Sequence, residues 1–342
     1  LLFPFAVLYD LVTRFRNHLY NIGSKTSFSF EANVIAVGNL SVGGTGKSPV
    51  ITYLIDHFLK QEKRTATLSR GYGRKTSGYL DAATEADAQA IGDEPAMYAS
   101  RYGDKVQVVV CEHRALAIPQ ILADAPDNEV ILLDDAYQHR TVDPSVSILL
   151  TTYDRPFYRD FVLPAGRLRE ARIGARRADI VLVTKCSLEI SRKEQAEIAH
   201  EVKKYAPEAF LCYTTVKYDL PKALNVPAKK LETGDRIVAA AGIANAAPYF
   251  NHLEQEYDLV SKKDFPDHKN FQSSEVRSID ELAISEGASI VLTEKDMVKW
   301  KPFLNEIKSP IYYVPIAVSF IEGEKEFLSI LDSSIKNYDR DY

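Results

Sequence analysis

The chain has 342 residues, 46% hydrophobic and 26% charged, and its 42 basic against 47 acidic side chains leave a formal charge of −5. This length and balance describe a globular protein of one large or two medium domains; they exclude a disordered or fibrous chain, and the mild acidity argues against a nucleic-acid binder. The three scattered cysteines cannot build a disulfide framework or a cysteine zinc site, so a reducing setting is expected.

The opening run LLFPFAVLY is too short to span a bilayer, which takes about 20 apolar residues, and it contains Pro4. Arginines follow it, where a secretory signal places them before, and no small-residue cleavage site comes after. From Leu8 onward Leu8, Leu11, Val12, Phe15, Leu19 and Ile22 keep helical spacing, with Arg14, Arg16, Asn17 and His18 between them. Residues 1–24 are therefore expected as an amphipathic helix. Its apolar side either packs on its own domain or lies in a membrane interface with the arginines at the headgroups.

Buried-strand patterns follow at Asn33–Val37, Arg64–Leu68, Lys105–Val110, Asn128–Leu133, Val146–Leu150 and Ile180–Val183. Helical segments lie between most of them, at Pro49–Lys60, Glu94–Tyr102 and Arg114–Ala125, and Arg192–Tyr205 follows the last. Such alternation predicts an α/β fold with a mostly parallel sheet. Residues 25–212 are read as a nucleotide-binding domain and 213–234, with its prolines, as an extended linker. Residues 235–342, with strands in Ile237–Asn245, Ala288–Thr293 and Ile311–Val314, are read as a smaller α/β domain.

SVGGTGKSP, spanning Ser41, Val42, Gly43, Gly44, Thr45, Gly46, Lys47, Ser48 and Pro49, sits between a predicted strand and helix as a phosphate loop requires. Its glycines let backbone amides approach phosphate oxygens; Lys47 would reach the β- and γ-phosphates and Ser48 would ligate Mg²⁺. Ser41 stands where the full pattern has glycine. A strand running into Asp134 and Asp135 supplies acidic partners for the metal, and alternation turns only one of them toward it. VLVTKCSLE carries Thr184 and Lys185 but Ser187 where a guanine-reading aspartate belongs, which favours ATP.

Other clusters exceed what a nucleotide switch needs. SRGYGR places Arg70, Tyr72 and Arg74 on a loop suited to an anionic ligand. Gln138, His139 and Arg140 follow the acidic strand at the sheet edge where α/β proteins bind ligands. GDEP reads as a helix start that leaves Asp93 available, and Asp154–Arg177 holds seven arginines against three acids.

GNLSVGGTGKSP, LSRGYGR, GDEP, LLDDAYQHR, LPAGRLRE, FPDHKNF and LTEKDMVK, in this order, resemble the motif series of the tetraacyldisaccharide 4′-kinase (lipid A 4′-kinase) family of Gram-negative bacteria. The resemblance runs from the N-terminal helix to about Lys299. It implies transfer of the ATP γ-phosphoryl to the 4′-hydroxyl of an acylated glucosamine disaccharide 1-phosphate, giving lipid IVA. It further implies a place on the cytoplasmic face of the inner membrane, reached through the N-terminal helix, and no obligatory protein partner. Carried onto this chain, it makes Asp93 the general base paired with His268, Arg169 a γ-phosphate ligand, and Asp134, Asp135 and Glu170 metal-associated acids. The chain departs from the family at Ala136 and Tyr137, often Gly-Phe, and at Lys269, often His. A P-loop kinase or ligase of a small soluble substrate, and a membrane-associated nucleotide switch, remain as other readings.

Overall fold

The computed structural model describes residues 2–225 and 230–338. Residue 1 of the expected N-terminal helix, 226–229 of the expected linker and 339–342 of the expected C-terminal domain lie outside the described residues. The chain opens with α1 (Phe3–Asn21), β1 (Asn33–Asn39), α2 (Lys47–Lys60), β2 (Thr65–Ser69), β3 (Leu80–Asp81), α3 (Ala88–Ile91) and α4 (Asp93–Tyr102). Next come β4 (Val106–Val110), α5 (Arg114–Asp124), β5 (Val130–Asp134), β6 (Val146–Thr152), β7 (Ile180–Thr184), α6 (Arg192–Lys203), β8 (Phe210–Tyr218) and β9 (Lys222–Ala223). The remainder is β10 (Arg236–Ala241), α7 (Ala247–Glu256), β11 (Asp258–Asp264), α8 (Ser273–Glu286), β12 (Ser289–Thr293), α9 (Glu294–Trp300), β13 (Ile311–Val314), β14 (Ile316–Glu322) and α10 (Glu324–Ser334).

The large sheet has the order β14-β8-β7-β6-β1-β5-β2-β4-β3 and is parallel except at its edge strands β14 and β3. Its central strands are apolar on both faces: β1, β5, β6 and β7 are buried along their whole length, as expected of a sheet covered by helices on both sides. β1 lies between β5 and β6, so the loop after it opens at the middle of the carboxyl edge, where such sheets bind ligands. A second sheet, β11-β10-β12-β13-β9, is parallel except for β9.

The division of the chain differs from the one expected at two places. The expected linker begins inside β8, which pairs in parallel with β7 and places Cys212, Tyr213 and Thr214 in the core. The expected C-terminal domain is itself divided, because after β13 the chain returns to the large sheet as β14, antiparallel to β8. α10 then buries Phe327 and Leu331 in the core shared with β1, α2 and α4. The chain thus crosses between the sheets twice, and the crossings are tied where the Asp219 amide donates to the Pro315 carbonyl at 2.9 Å.

α1 has an inverted arrangement. Ala6 is its one buried residue among those described, whereas Phe5, Leu8, Leu11, Val12 and Phe15 lie on the outside, Phe15 being 64% exposed. Its polar side docks instead: Tyr9 donates to the Arg169 carbonyl (2.8 Å), Arg16 to the Gln138 carbonyl (2.6 Å) and Asn17 to Glu170 (2.6 Å). Among the described residues no helix is long and apolar enough to cross a membrane.

The returning C-terminal helix gives a direct check. Phe327→Ala should cost about 3–5 kcal/mol through loss of a fully buried ring. The single tryptophan, Trp300, lies in the core of the second sheet. In denaturant titrations the circular-dichroism transition should therefore move to lower denaturant further than the Trp300 fluorescence transition.

Candidate active site

The loop after β1 is shaped by its glycines and braced from three strands. Gly43 and Gly46 hold positive φ angles of 107° and 86°, which glycine adopts without a Cβ clash, and Gly46 is the N-cap of α2. Asn39 donates to the Ser41 carbonyl (2.6 Å) and the Thr45 hydroxyl (2.9 Å). At the end of β7, Thr184 donates to the Thr45 carbonyl (2.8 Å) and Lys185 to that of Gly44 (2.7 Å). The Thr-Lys pair considered at the sequence level as part of a base-reading motif therefore props the loop. Amides and the amino end of α2 are left facing outward as an anion cradle.

Residues 167–169 run antiparallel to 40–42, with Val42 donating to the Arg167 carbonyl (2.8 Å) and Arg169 to that of Leu40 (2.7 Å). This pairing delivers the Arg169 side chain to the P-loop, where one terminal nitrogen meets both Asp135 oxygens at 2.9 and 3.0 Å. Lys47 Nζ is 3.4 Å from the same carboxylate. Burial pushes the Asp135 carboxyl up, but Lys47 and Arg169 outweigh it and leave the group below its ordinary value.

Both aspartates reach this corner, and simple alternation along a strand does not apply. β5 ends at Asp134, and Asp135 turns away with φ of +50°. Asp134 is buried; its Oδ2 accepts from the Tyr98 hydroxyl at 2.9 Å, and Tyr98 also hydrogen-bonds Ser48. Oδ1 has no partner. Burial lifts this carboxyl to about 6, against the pull of Lys47. An orphaned buried carboxylate oxygen beside a serine hydroxyl is a hard oxygen donor set of the kind Mg²⁺ takes, with phosphate oxygens completing the shell. Among the described residues no three His, Cys, Asp or Glu side chains converge as a cage of their own.

Facing this corner, the two sheets contribute one group each to a pair. Asp93 opens α4 beneath the large sheet's loops, and His268 follows β11 of the second sheet with φ of +57°. His268 Nδ1 lies 3.1 Å from Asp93 Oδ2. Burial pushes the Asp93 carboxyl up, but the His268 hydrogen bond, Lys299 and Lys295 bring it below its ordinary value. With Asp93 ionised, Nδ1 is the donor, and the bond in turn raises the His268 pKa. Tyr72 packs its ring on His268 at 5.0 Å, so the loop Arg70–Arg74 forms a wall of the same cleft. A cavity of about 480 Å³ lies at the carboxyl ends of β10 and β11, lined in part by Ala244, Asn245, Phe265 and Asp267. Ala244 lies against Gly44 of the P-loop.

Several candidates are used otherwise. Glu170 is not brought to the aspartates: its buried carboxylate accepts from Arg177 (2.7 Å), Asn17 (2.6 Å) and Gln138 (3.2 Å). Gln138 also donates to the Asn39 carbonyl, and Arg140 donates to the Asn17 carbonyl and covers the Tyr20 ring. Both therefore anchor α1 and the strand ends. Arg74 is folded into its own loop, paired with Glu112 and donating to the Gly78 carbonyl at 2.7 Å. His139 stays near the site, and burial followed by the positive charge of Arg114 lowers its pKa to about 4. Arg114 is the residue the sequence reading missed. It opens α5 fully buried among Asp135, Asp134 and Arg70, its Nε and Nη2 without a hydrogen-bond partner among the described residues. The signal available was its place just past β4, on the same carboxyl edge as the P-loop.

A family model described as tetraacyldisaccharide-1-P 4′-kinase matches residues 1–336. The tetraacyldisaccharide 4′-kinase of Flavobacterium johnsoniae is 43% identical over 341 residues, covering 99% of this chain and 96% of that protein. That of Cytophaga hutchinsonii is 37% identical, covering 98% and 95%. The crystal structure of LpxK from Aquifex aeolicus in complex with ATP superposes with a TM-score of 0.74 at 28% identity, covering 98% of each chain. With the match spanning both sheets and every part of the P-loop corner, the chain belongs to the tetraacyldisaccharide-1-P 4′-kinase family.

Proposed function

We propose that the protein transfers the γ-phosphoryl group of ATP to the 4′-hydroxyl of tetraacyldisaccharide 1-phosphate, with Asp93 accepting the hydroxyl proton. The observation that carries this reading is the Asp93–His268 pair formed between the two sheets: a carboxylate bonded to an imidazole can accept the proton of a hydroxyl as it attacks phosphorus. P-loop amides and Lys47 hold the β- and γ-phosphates, and Arg169 adds charge where the transferring group is most anionic. Asp135 keeps Lys47 and Arg169 side by side before nucleotide arrives. Ser48 and Asp134 would hold Mg²⁺, which when bound neutralises phosphate charge.

His268 and Lys299 both approach Asp93 at Oδ2, at 3.1 and 3.6 Å. Oδ1 is then the oxygen that takes the proton as the sugar oxygen attacks phosphorus. The proton passes to the carboxylate, the O–P bond to the acceptor forms, and ADP leaves with the bridging oxygen. Arg70 and His139 line the approach of an anionic acceptor, with the buried Arg114 adding its charge from behind them. The outward apolar face of α1, bonded on its inner side to Arg169, Gln138 and Glu170, seats the enzyme on the cytoplasmic side of the inner membrane as a peripheral or monotopic protein.

Purified protein incubated with ATP, Mg²⁺ and the acylated disaccharide 1-phosphate should convert the acceptor to a bisphosphate. ATP turnover without acceptor phosphorylation would favour the switch. Asp93→Ala should lower kcat by roughly 10²–10⁴-fold with ATP affinity kept. Replacing Leu8, Leu11 and Phe15 together by Glu should leave nucleotide binding intact and weaken binding to anionic vesicles by more than about tenfold, measured by flotation.

A further inference from the structure

The arginine-rich stretch between β6 and β7 runs beside α1. Three contacts along the helix fix this arrangement: Phe3 packs edge-on against Phe161 with ring centroids 5.9 Å apart, Tyr9 donates to the Arg169 carbonyl, and Asn17 donates to Glu170. Phe3 and Phe161 are both more than half exposed, so the outward apolar surface of α1 continues onto this stretch. The acids here are engaged internally. Glu170 is buried against Arg177, and Asp160 Oδ1 accepts from the amides of Phe161 and Arg167 at 2.8 and 3.2 Å. The Arg172 guanidinium lies over the Phe161 ring, 5.4 Å from its centroid, held by the Asp160 carbonyl at 2.9 Å. Arg159 and Arg176 are exposed, and among the described residues their side chains form no ion pair. On a chain of net charge −5, bare cations gathered around an open aromatic ring point to an anionic partner.

We propose that residues 159–176 form a second membrane contact, in which Phe161 enters the bilayer interface beside Phe3 while Arg159, Arg172 and Arg176 bind the phosphates of anionic phospholipids. This rests on the reading that α1 lies on the membrane. The arginines of α1 are already engaged, since Arg14 pairs with Asp10 at 2.7 Å and Arg16 donates inward to the Gln138 carbonyl. The helix therefore brings apolar area and the neighbouring stretch brings charge, the two signals that together make a stable anchor. Guanidinium groups suit the second task because their planar fork matches a phosphate bidentately. A helix lying alone on a membrane is free to roll about its axis. A second contact beside it fixes that roll, and with it the direction in which the cleft opens.

Flotation with vesicles of phosphatidylcholine alone, and of phosphatidylcholine mixed with an equal amount of phosphatidylglycerol, tests this. The wild type should bind the mixed vesicles more tightly, and the excess should vanish as salt rises from about 0.1 to about 1 M, where the Debye length falls from about 10 to about 3 Å. R159Q/R176Q, which alters only exposed side chains, should weaken binding to the mixed vesicles by roughly 10- to 30-fold, about fivefold for each cation. Its binding to phosphatidylcholine alone should be unchanged. F161S should weaken binding to both vesicle types by about tenfold. Wild-type binding that is indifferent to phosphatidylglycerol overturns the second contact without recourse to any variant, as does full binding of folded R159Q/R176Q to the mixed vesicles. A raised KM of R159Q/R176Q for the acylated acceptor in neutral detergent assigns these arginines to the acceptor and overturns it equally. Failure of the α1 reading beneath it looks different: L8E/L11E/F15E would then float with both vesicle types as the wild type does.

Discussion

Asp135 is the knot that the site depends on. A phosphate site must bring cations together before any phosphate is present, and like charges held close in a partly buried setting repel. The Asp135 carboxylate, reached by Lys47 at 3.4 Å and Arg169 at 2.9 Å, compensates both. It also ties three separate stretches of chain: the P-loop, the end of β5, and the strand-like segment 167–169 that runs beside residues 40–42. Through the Arg169 carbonyl, which accepts from Tyr9, the same knot reaches α1. On the proposed reading, an arriving γ-phosphate would compete for these two cations, and the preformed ion cluster serves as a placeholder for it.

The chemistry is divided between the sheets. On the proposed reading, the groups that handle phosphate come from the large sheet, while His268 and the lysines around Asp93 come from the second. The two chain crossings at Asp219 and Pro315, bonded to each other, are where relative motion of the sheets would be taken up. On the proposed reading, proton acceptance is complete only with the second sheet in place. Such a division allows nucleotide binding and assembly of the acceptor site to be separate events.

What was legible in the sequence follows from how local its physical cause is. The P-loop, the acidic strand end and the parallel strands could be read because glycine freedom, buried apolar runs and strand–helix alternation are properties of short stretches. β8 and β14 were not read, since both depend on distant partners: FLCYTTVKY pairs with β7 on one side and, across about a hundred residues of chain, with IAVSFIE on the other. The same limit applies to side chains. Arg74, Gln138, Arg140 and Glu170 have the residue types of ligand contacts, and their partners Glu112, Asn39, Asn17 and Arg177 are not adjacent to them in sequence. Asp135 departs from strand alternation because the strand ends one residue earlier in a left-handed turn. Nothing in the local pattern DDAYQHR fixes that.

α1 shows why the apolar start of the chain is compatible with an average composition. In proteins most helical stability comes from packing of an amphipathic face, and among the described residues this helix buries a single small one, Ala6, against the body of the protein. What holds it is a row of polar contacts from Tyr9, Arg16 and Asn17, each contributing about 1 kcal/mol. The hydrophobic free energy of its outer face is left uncollected until another apolar phase covers it. On the proposed reading that phase is the membrane, and one helix then separates lipid from active site. A helix with its side chains is about 10–12 Å thick, so an acceptor whose acyl chains stay in the bilayer need lift its sugar headgroup by about that distance to reach the level of Arg169, which α1 contacts. Extraction of the lipid into water is thereby avoided, and the polar inner face of α1 becomes part of the wall along which the headgroup rises.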